Sequence, residues 1–260
     1  MPARGFGRAS GFGTAAADVA IAGATALVST VPPDGLPDGG GDPVLRAHGA
    51  AIAAAQNLRW VGYCSTTGVY GNRDGGWVDE ATPPAPGQPR SQRRLEAEQA
   101  WRAALPAGAG LDLMRIAGIY GPGRSALEDV AAGTARRVDR PGHAFGRIHV
   151  EDIAGTVLAA LARPPAPGQV RVLNLADDEP APQADVVAEA ARLLGVAPPK
   201  LVPFEQALSR MGEMGRGFWA ENRRVANTAT KAAIGRKLAY PTYREGLAAI
   251  FAQNRAQQRG

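Results

Sequence analysis

The chain has 260 residues, 45% hydrophobic and 20% charged, values that suit a globular unit with a sizeable core and exclude a charge-rich disordered tail. No run approaches the roughly 20 apolar residues that span a bilayer, the first residues show no signal-peptide core, and the single cysteine, Cys64, cannot form an internal disulfide, so the expected compartment is the cytoplasm. The net charge of +5 comes from arginines scattered among acidic residues, not gathered on one helix, which argues against a nucleic-acid partner.

In chain order, residues 24–31 form a short apolar run stopped by Pro32-Pro33-Asp34-Gly35, the pattern of a buried strand ending in a turn. Residues 43–57 begin with a proline and are rich in alanine, which predicts a helix. A strand follows at 58–64, a long polar segment at 65–89, a helix at 91–104 and a strand at 111–116. Further on come a helix at 150–162, a strand at 170–175, a helix at 184–194 with Gly195 as its C-cap, and a last helix at 243–254. Strands and helices in alternation predict an α/β fold, a parallel sheet with helices on both faces.

Ligands of such sheets bind beyond the carboxyl ends of the strands, which directs attention to the loops Ser29–Asp34, Ser65–Gly71 and Ala117–Gly123. His48, Cys64, His143 and His149 show no metal-ligand spacing, so no metal site is expected. Asp152 is expected to cap the helix that begins beside it.

Five ordered motifs carry a family resemblance: Ser65-Thr-Thr-Gly-Val-Tyr-Gly71 after a strand, Val78-Asp-Glu80, Arg115-Ile-Ala-Gly-Ile-Tyr-Gly-Pro-Gly123, Arg147-Ile-His-Val-Glu-Asp-Ile-Ala154 and Val172-Leu-Asn-Leu-Ala-Asp-Asp-Glu-Pro180. In this order they resemble the extended and atypical short-chain dehydrogenase/reductase superfamily, the NAD-dependent epimerase/dehydratase-like proteins. The resemblance implies a Rossmann-like domain over 1–165 and a mixed strand plus a smaller substrate lobe over 166–260. It implies NAD or NADP as cofactor, a small-molecule substrate with a hydroxyl or keto group, a sugar nucleotide among the candidates, and a homodimer through the helices near 43–57 and 91–104. No membrane partner is implied.

By the same resemblance, Ser29, Thr30, Val31, Pro32, Ser65, Arg94, Gly118 and Ile119 would bind cofactor, and Arg147 and His149 would contact substrate. Thr66 takes the place of the hydroxyl that orients substrate. The family's Tyr-x-x-x-Lys pair falls on Arg90 and Arg94, and arginine stays protonated. Tyr70 and Tyr120 are then the candidate acid/base groups. The family also opens with a strand, a glycine-rich turn and a helix that holds the pyrophosphate. Gly5-Phe-Gly7 and Gly11-Phe-Gly13 do not make that pattern, so an N-terminal βαβ unit is expected to be lacking, through an upstream start or a truncation. A non-catalytic NAD(P)-binding sensor or scaffold, or a chain unable to bind cofactor, are the alternatives to an enzyme.

Overall fold

The computed structural model describes residues 15–34 and 41–257; the early Gly-x-Gly pairs and Gly35 lie outside them. Helix α1 (Ala15–Ala22) leads into strand β1 (Ala26–Ser29), α2 (Pro43–Ala53) into β2 (Trp60–Thr66), and a 3-10 turn (Thr67–Tyr70) into the two-residue β3 (Trp77–Val78). Helix α3 (Pro89–Ala103) precedes β4 (Gly110–Ile116) and β5 (Gly118–Tyr120), followed by α4 (Ala126–Ala131), β6 (Arg137–Asp139), β7 (Arg147–His149) and α5 (Val150–Ala162). After β8 (Val170–Leu175) and α6 (Gln183–Leu194) come β9 (Leu201–Pro203), α7 (Phe204–Ser209), α8 (Glu213–Ala220), β10 (Arg224–Val225), α9 (Thr228–Ile234) and α10 (Tyr243–Gln257).

The main sheet runs β1-β2-β4-β8, every pair parallel. Alternate residues feed two cores. On one face Val61, Tyr63, Leu111 and Leu113 meet Ile52 of α2 and Ala97 and Trp101 of α3. On the other, Trp60, Met114, Leu173 and Leu175 meet Ala160 of α5 and Ile234 of α9. Apolar residues on both phases of a two-residue period are what a doubly covered sheet requires. Gly62 serves the second face, because a Cβ there would stand 2.7 Å from the Trp60 ring. Helix α2 starts where its proline predicts. Asp42 accepts from the backbone of Val44 and Leu45 at 2.9 and 3.0 Å, and its second oxygen accepts from Trp101 Nε1 at 2.9 Å, joining α2 to α3. The apolar faces of both helices thus cover the sheet.

The polar segment 65–89 is more ordered than its composition suggests. Its 3-10 turn and β3 lie against the chain, and β3 pairs in parallel with β10. Asn222 ties this region to the rest: its carbonyl accepts from Arg73 and Gly75, its N–H donates to Asn72 Oδ1 at 2.9 Å, and its side chain bonds the backbone of Gly142 and Ala144. Parallel pairs β5–β7 and β6–β9 accompany a further core built from α4, α6 and α10, with Leu127, Val186, Ala190, Leu247 and Ile250.

Two local readings meet the structure differently. Gly195 ends α6 with φ 70, the left-handed conformation expected of a C-cap glycine. Asp152, by contrast, does not cap α5. His149 is the N-cap, its Nδ1 accepting from Glu151 N at 3.2 Å. Asp152 instead accepts from Ala239 N and Tyr240 N at 2.7 and 2.9 Å. Two loop N–H groups needing partners recruit the buried carboxylate. Among the described residues no helix is long and apolar enough to cross a membrane.

Candidate functional site

Parallel pairing in register places the carboxyl ends of β1, β2 and β4 side by side, with Ser29 opposite Tyr63, Ser65 opposite Arg115 and Thr66 opposite Ile116. The loops that begin at Ser29, Ser65 and Ala117 therefore leave one edge of the sheet. Ser29 Oγ is buried with no hydrogen-bond partner, and beyond it Thr30 and Pro32 are exposed and Val31 half-buried. Half-buried Thr66 accepts from Gly68 N at 3.1 Å, which caps the 3-10 turn and leaves its own hydroxyl proton undirected. Gly118 and Ile119 are exposed on the third loop. A Cβ at Gly118 would lie 3.2 Å from the Gly146 carbonyl.

Arg94 does not stand free at this edge. One guanidinium nitrogen donates to Tyr63 Oη at 3.0 Å and to the Cys64 carbonyl at 2.9 Å, so α3 fastens a permanent positive charge beneath the end of β2. Ser65 donates to Glu98 Oε1 at 2.5 Å, and Glu98 takes two bonds from Arg115 at 3.1 and 2.8 Å. The Arg115 guanidinium lies 4.7 Å from the centre of the Tyr70 ring. Tyr70 Oη donates to Asn174 Oδ1 at 2.7 Å, and Asn174 N donates to Thr230 Oγ1, which donates to Glu80. This buried polar chain crosses β2, β4 and β8. The sequence carries no sign of the role of Glu98, because its pairing with Ser65 and Arg115 depends on strand register.

The other candidates point inward. Tyr70 is fully buried, and burial raises its phenol pKa, opposed by Arg115 and Asn174. Tyr120 packs edge-on against His149 with centroids 5.3 Å apart, and burial foremost, then Asp177, raises its pKa as well. A phenol held protonated in a sealed site is a poor proton exchanger near neutrality. Arg147 donates to the carbonyls of Phe145 and Ala181 at 2.8 and 3.0 Å. His149, buried at the start of α5, has its ring 4.2 Å from that of Tyr240. Arg90 is exposed at the start of α3.

Asp177, which follows β8, was not singled out by sequence. Both its carboxylate oxygens are buried without a hydrogen-bond partner. Burial pushes its pKa up to about 8 despite the attraction of Arg147.

The fit to a nicotinamide dinucleotide divides in two. Ser29 Oγ is a buried polar atom without a partner at the ligand edge, and the exposed backbone at Gly118 and Ile119 suits an amide contact. The nicotinamide-ribose end of a dinucleotide would be held by these residues, with Thr66 on the loop between theirs. For the pyrophosphate end, the described residues contain no strand that runs through a glycine-rich turn into a helix. Among the described residues no three His, Cys, Asp or Glu side chains converge on a metal position.

No protein-family model matches the chain. It is 31% identical over 175 residues to protein YeeZ of Escherichia coli K12, covering 67% of this chain and 58% of YeeZ. It is 33% identical over 147 residues to a 3-diazoavenalumate denitrifying reductase of a Streptomyces species, covering 54% and 46% of the two chains. The match thus spans about half the length of these curated relatives. Among solved structures, a conserved protein of unknown function from Silicibacter pomeroyi is 48% identical with a TM-score of 0.80, covering 89% of this chain and 78% of that one. A candidate NAD-dependent epimerase/dehydratase from Methylobacillus flagellatus is 26% identical with a TM-score of 0.61, covering 82% and 70%. A human epimerase family protein with NADPH, 17% identical, covers 90% and 86% at a TM-score of 0.70 and shares the fold. The ordered motifs, the parallel sheet and these likenesses together support the resemblance of the chain to the extended short-chain dehydrogenase/reductase superfamily, the NAD-dependent epimerase/dehydratase-like proteins.

Proposed function

We propose that the protein is an NAD(P)-dependent oxidoreductase or epimerase/dehydratase that acts on a hydroxyl or keto group, with a sugar nucleotide as one candidate substrate. The observation that carries this reading is Thr66. Its oxygen accepts from the turn it caps, which fixes the side chain and leaves O–H to donate, one strand away from the unpartnered Ser29 Oγ. A nicotinamide at this edge would supply or accept hydride. The chain's own contribution is placement: Thr66 orients the substrate oxygen, and Arg94 sets a positive field at the end of β2.

The proton inventory narrows the substrate. Arg90 and Arg94 cannot exchange a proton, and the phenols of Tyr70 and Tyr120 are sealed and raised. A substrate that accepts hydride without a protein acid, or draws its proton from water, fits these residues. The Streptomyces relative is by its name a reductase of a diazo compound, a group of that kind. The arginines in place of the tyrosine and lysine also favour a second reading, a protein that binds dinucleotide without turnover.

The test titrates NADH and NADPH by fluorescence, then assays keto, diazo and sugar-nucleotide compounds. The expected result is binding with turnover, and a Thr66→Ala loss of about tenfold or more in kcat at unchanged cofactor affinity. Binding without turnover selects the second reading, and absence of binding refutes both.

A further inference from the structure

Beside β8, Asp178, α9 and the turn into α10 surround a cavity of about 620 Å³, a volume in the range of small-molecule sites. Its lining residues are distinct from those of the loops that begin at Ser29, Ser65 and Ala117. Three cationic side chains, Lys231, Arg236 and Lys237, line it with one carboxylate, Asp178. That carboxylate is already engaged, with Oδ1 accepting from Lys231 Nζ at 2.8 Å and from Asn227 Nδ2 at 2.7 Å.

The other two cations leave hydrogen-bond donors unused. Arg236 lies flat against α5 at Gly155, where a Cβ would come within 2.4 Å of its Cζ. Its Nε is buried without a partner. Arg236 forms an ion pair at 3.5 Å with Asp152, a carboxylate that also accepts from the N–H groups of Ala239 and Tyr240. Lys237 is exposed and forms no ion pair among the described residues. Two positive charges thus share one concave site with unspent donors. Ala232, Leu238 and Pro241 give the same cavity an apolar wall.

We propose that this cavity is a second binding site, for a small organic phosphate. A planar guanidinium and a mobile ammonium are the pair that phosphate oxygens recruit. The apolar wall takes the organic remainder, which a bare inorganic ion lacks. The site does not rest on the dinucleotide reading, since it is built from other residues and needs no cofactor.

Isothermal titration calorimetry of the full chain at low salt tests it, with pyrophosphate and phenyl phosphate as probes. Saturable binding of phenyl phosphate at one site is expected, with affinity weakened about tenfold by Lys237→Glu and falling with added salt. Lys200→Glu makes the same charge change at an exposed lysine elsewhere and should shift affinity by less than about twofold. Circular dichroism on both variants confirms that the fold is kept. Absence of saturable binding up to about 10 mM, or equal losses in the two variants, overturns the proposal. So does binding that Lys237→Glu leaves unchanged, which would put the phosphate at the dinucleotide edge.

Discussion

The Asp177→Asn substitution should make the protein more resistant to unfolding as pH rises. Asp177 is almost entirely buried, its oxygens have no hydrogen-bond partner, and burial lifts its pKa from 3.8 to about 8. The folded state therefore keeps the proton that the unfolded chain releases above its ordinary carboxyl range. Between those two values the unfolded state binds fewer protons, so this group's contribution to stability falls with rising pH. The slope is about 1.4 kcal/mol per pH unit, fully expressed between pH 5 and 7, which amounts to about 3 kcal/mol over that span. Asparagine does not titrate. Its own hydrogen-bonding preferences add an offset that does not change with pH. Urea unfolding of both proteins at pH 5, 6 and 7 gives the difference in free energy, in which the titrations of all other groups cancel. That difference should shift in favour of Asp177→Asn by about 3 kcal/mol from pH 5 to 7. Parallel curves would mean that Asp177 is ionised in the folded protein, paired with Arg147, and the reasoning from burial would fail.

Glu98→Gln should cost about 3 to 5 kcal/mol, because it leaves the buried Arg115 charge without its partner; the two heads meet at 2.8 Å and are 3% and 1% exposed. A loss below about 1 kcal/mol in urea unfolding would show that the pair is replaceable. His143 has neither ring nitrogen bonded, and burial foremost, then Arg140, lowers its pKa to about 4. The unfolded chain takes up a proton below about pH 6.5 that the folded one refuses, so stability is lost as pH falls from there towards 4. His143→Phe should remove about 1 to 2 kcal/mol of that acid loss, after allowance for solvent screening; unchanged acid sensitivity in urea unfolding contradicts it. Gly71→Ala should lower stability by at least about 2 kcal/mol, because φ is 71 and a Cβ would stand 1.8 Å from the Ala85 carbonyl; a shift of less than about 4 °C in thermal unfolding would refute this.

The fold was legible wherever one element buries itself by a simple period. Val170–Leu175 and Val150–Ala162 match the sequence reading at both ends, since a short stretch rich in Val and Leu and an alanine-rich stretch declare themselves locally. Elements that exist only through distant contacts did not show. β3 and β10 are two residues each and are extended because they pair with one another. Helices α4, α7, α8 and α9 are 6 to 8 residues long, too short for a periodic signal. At the candidate site, the strand order directed attention to the three loops and the motifs to Thr66, because both patterns are written in consecutive residues. Burial was not readable. Tyr70 and Tyr120 stand before glycines in polar segments, yet their rings are enclosed by residues up to about 120 positions away, Thr242 and Asn174 among them. Asp177 lies in an acidic stretch that reads as solvated, and only the third dimension shows its carboxylate cut off from water.

The Asn222 junction has a kinetic meaning. It joins residues separated by as many as 150 positions through a ladder only two residues long, so a large loop must close before a small enthalpic return is collected. The segment from the 3-10 turn to β3 is then among the last parts to settle during folding and the first to detach from the native state. Detachment at that point uncovers the turn that Thr66 caps. Hydrogen exchange at Arg73 and Gly75 should accordingly run faster than at the β2–β4 ladder, and a ligand that bridges Thr66 to the neighbouring loops would slow it, turning a late step of folding into a reporter of occupancy.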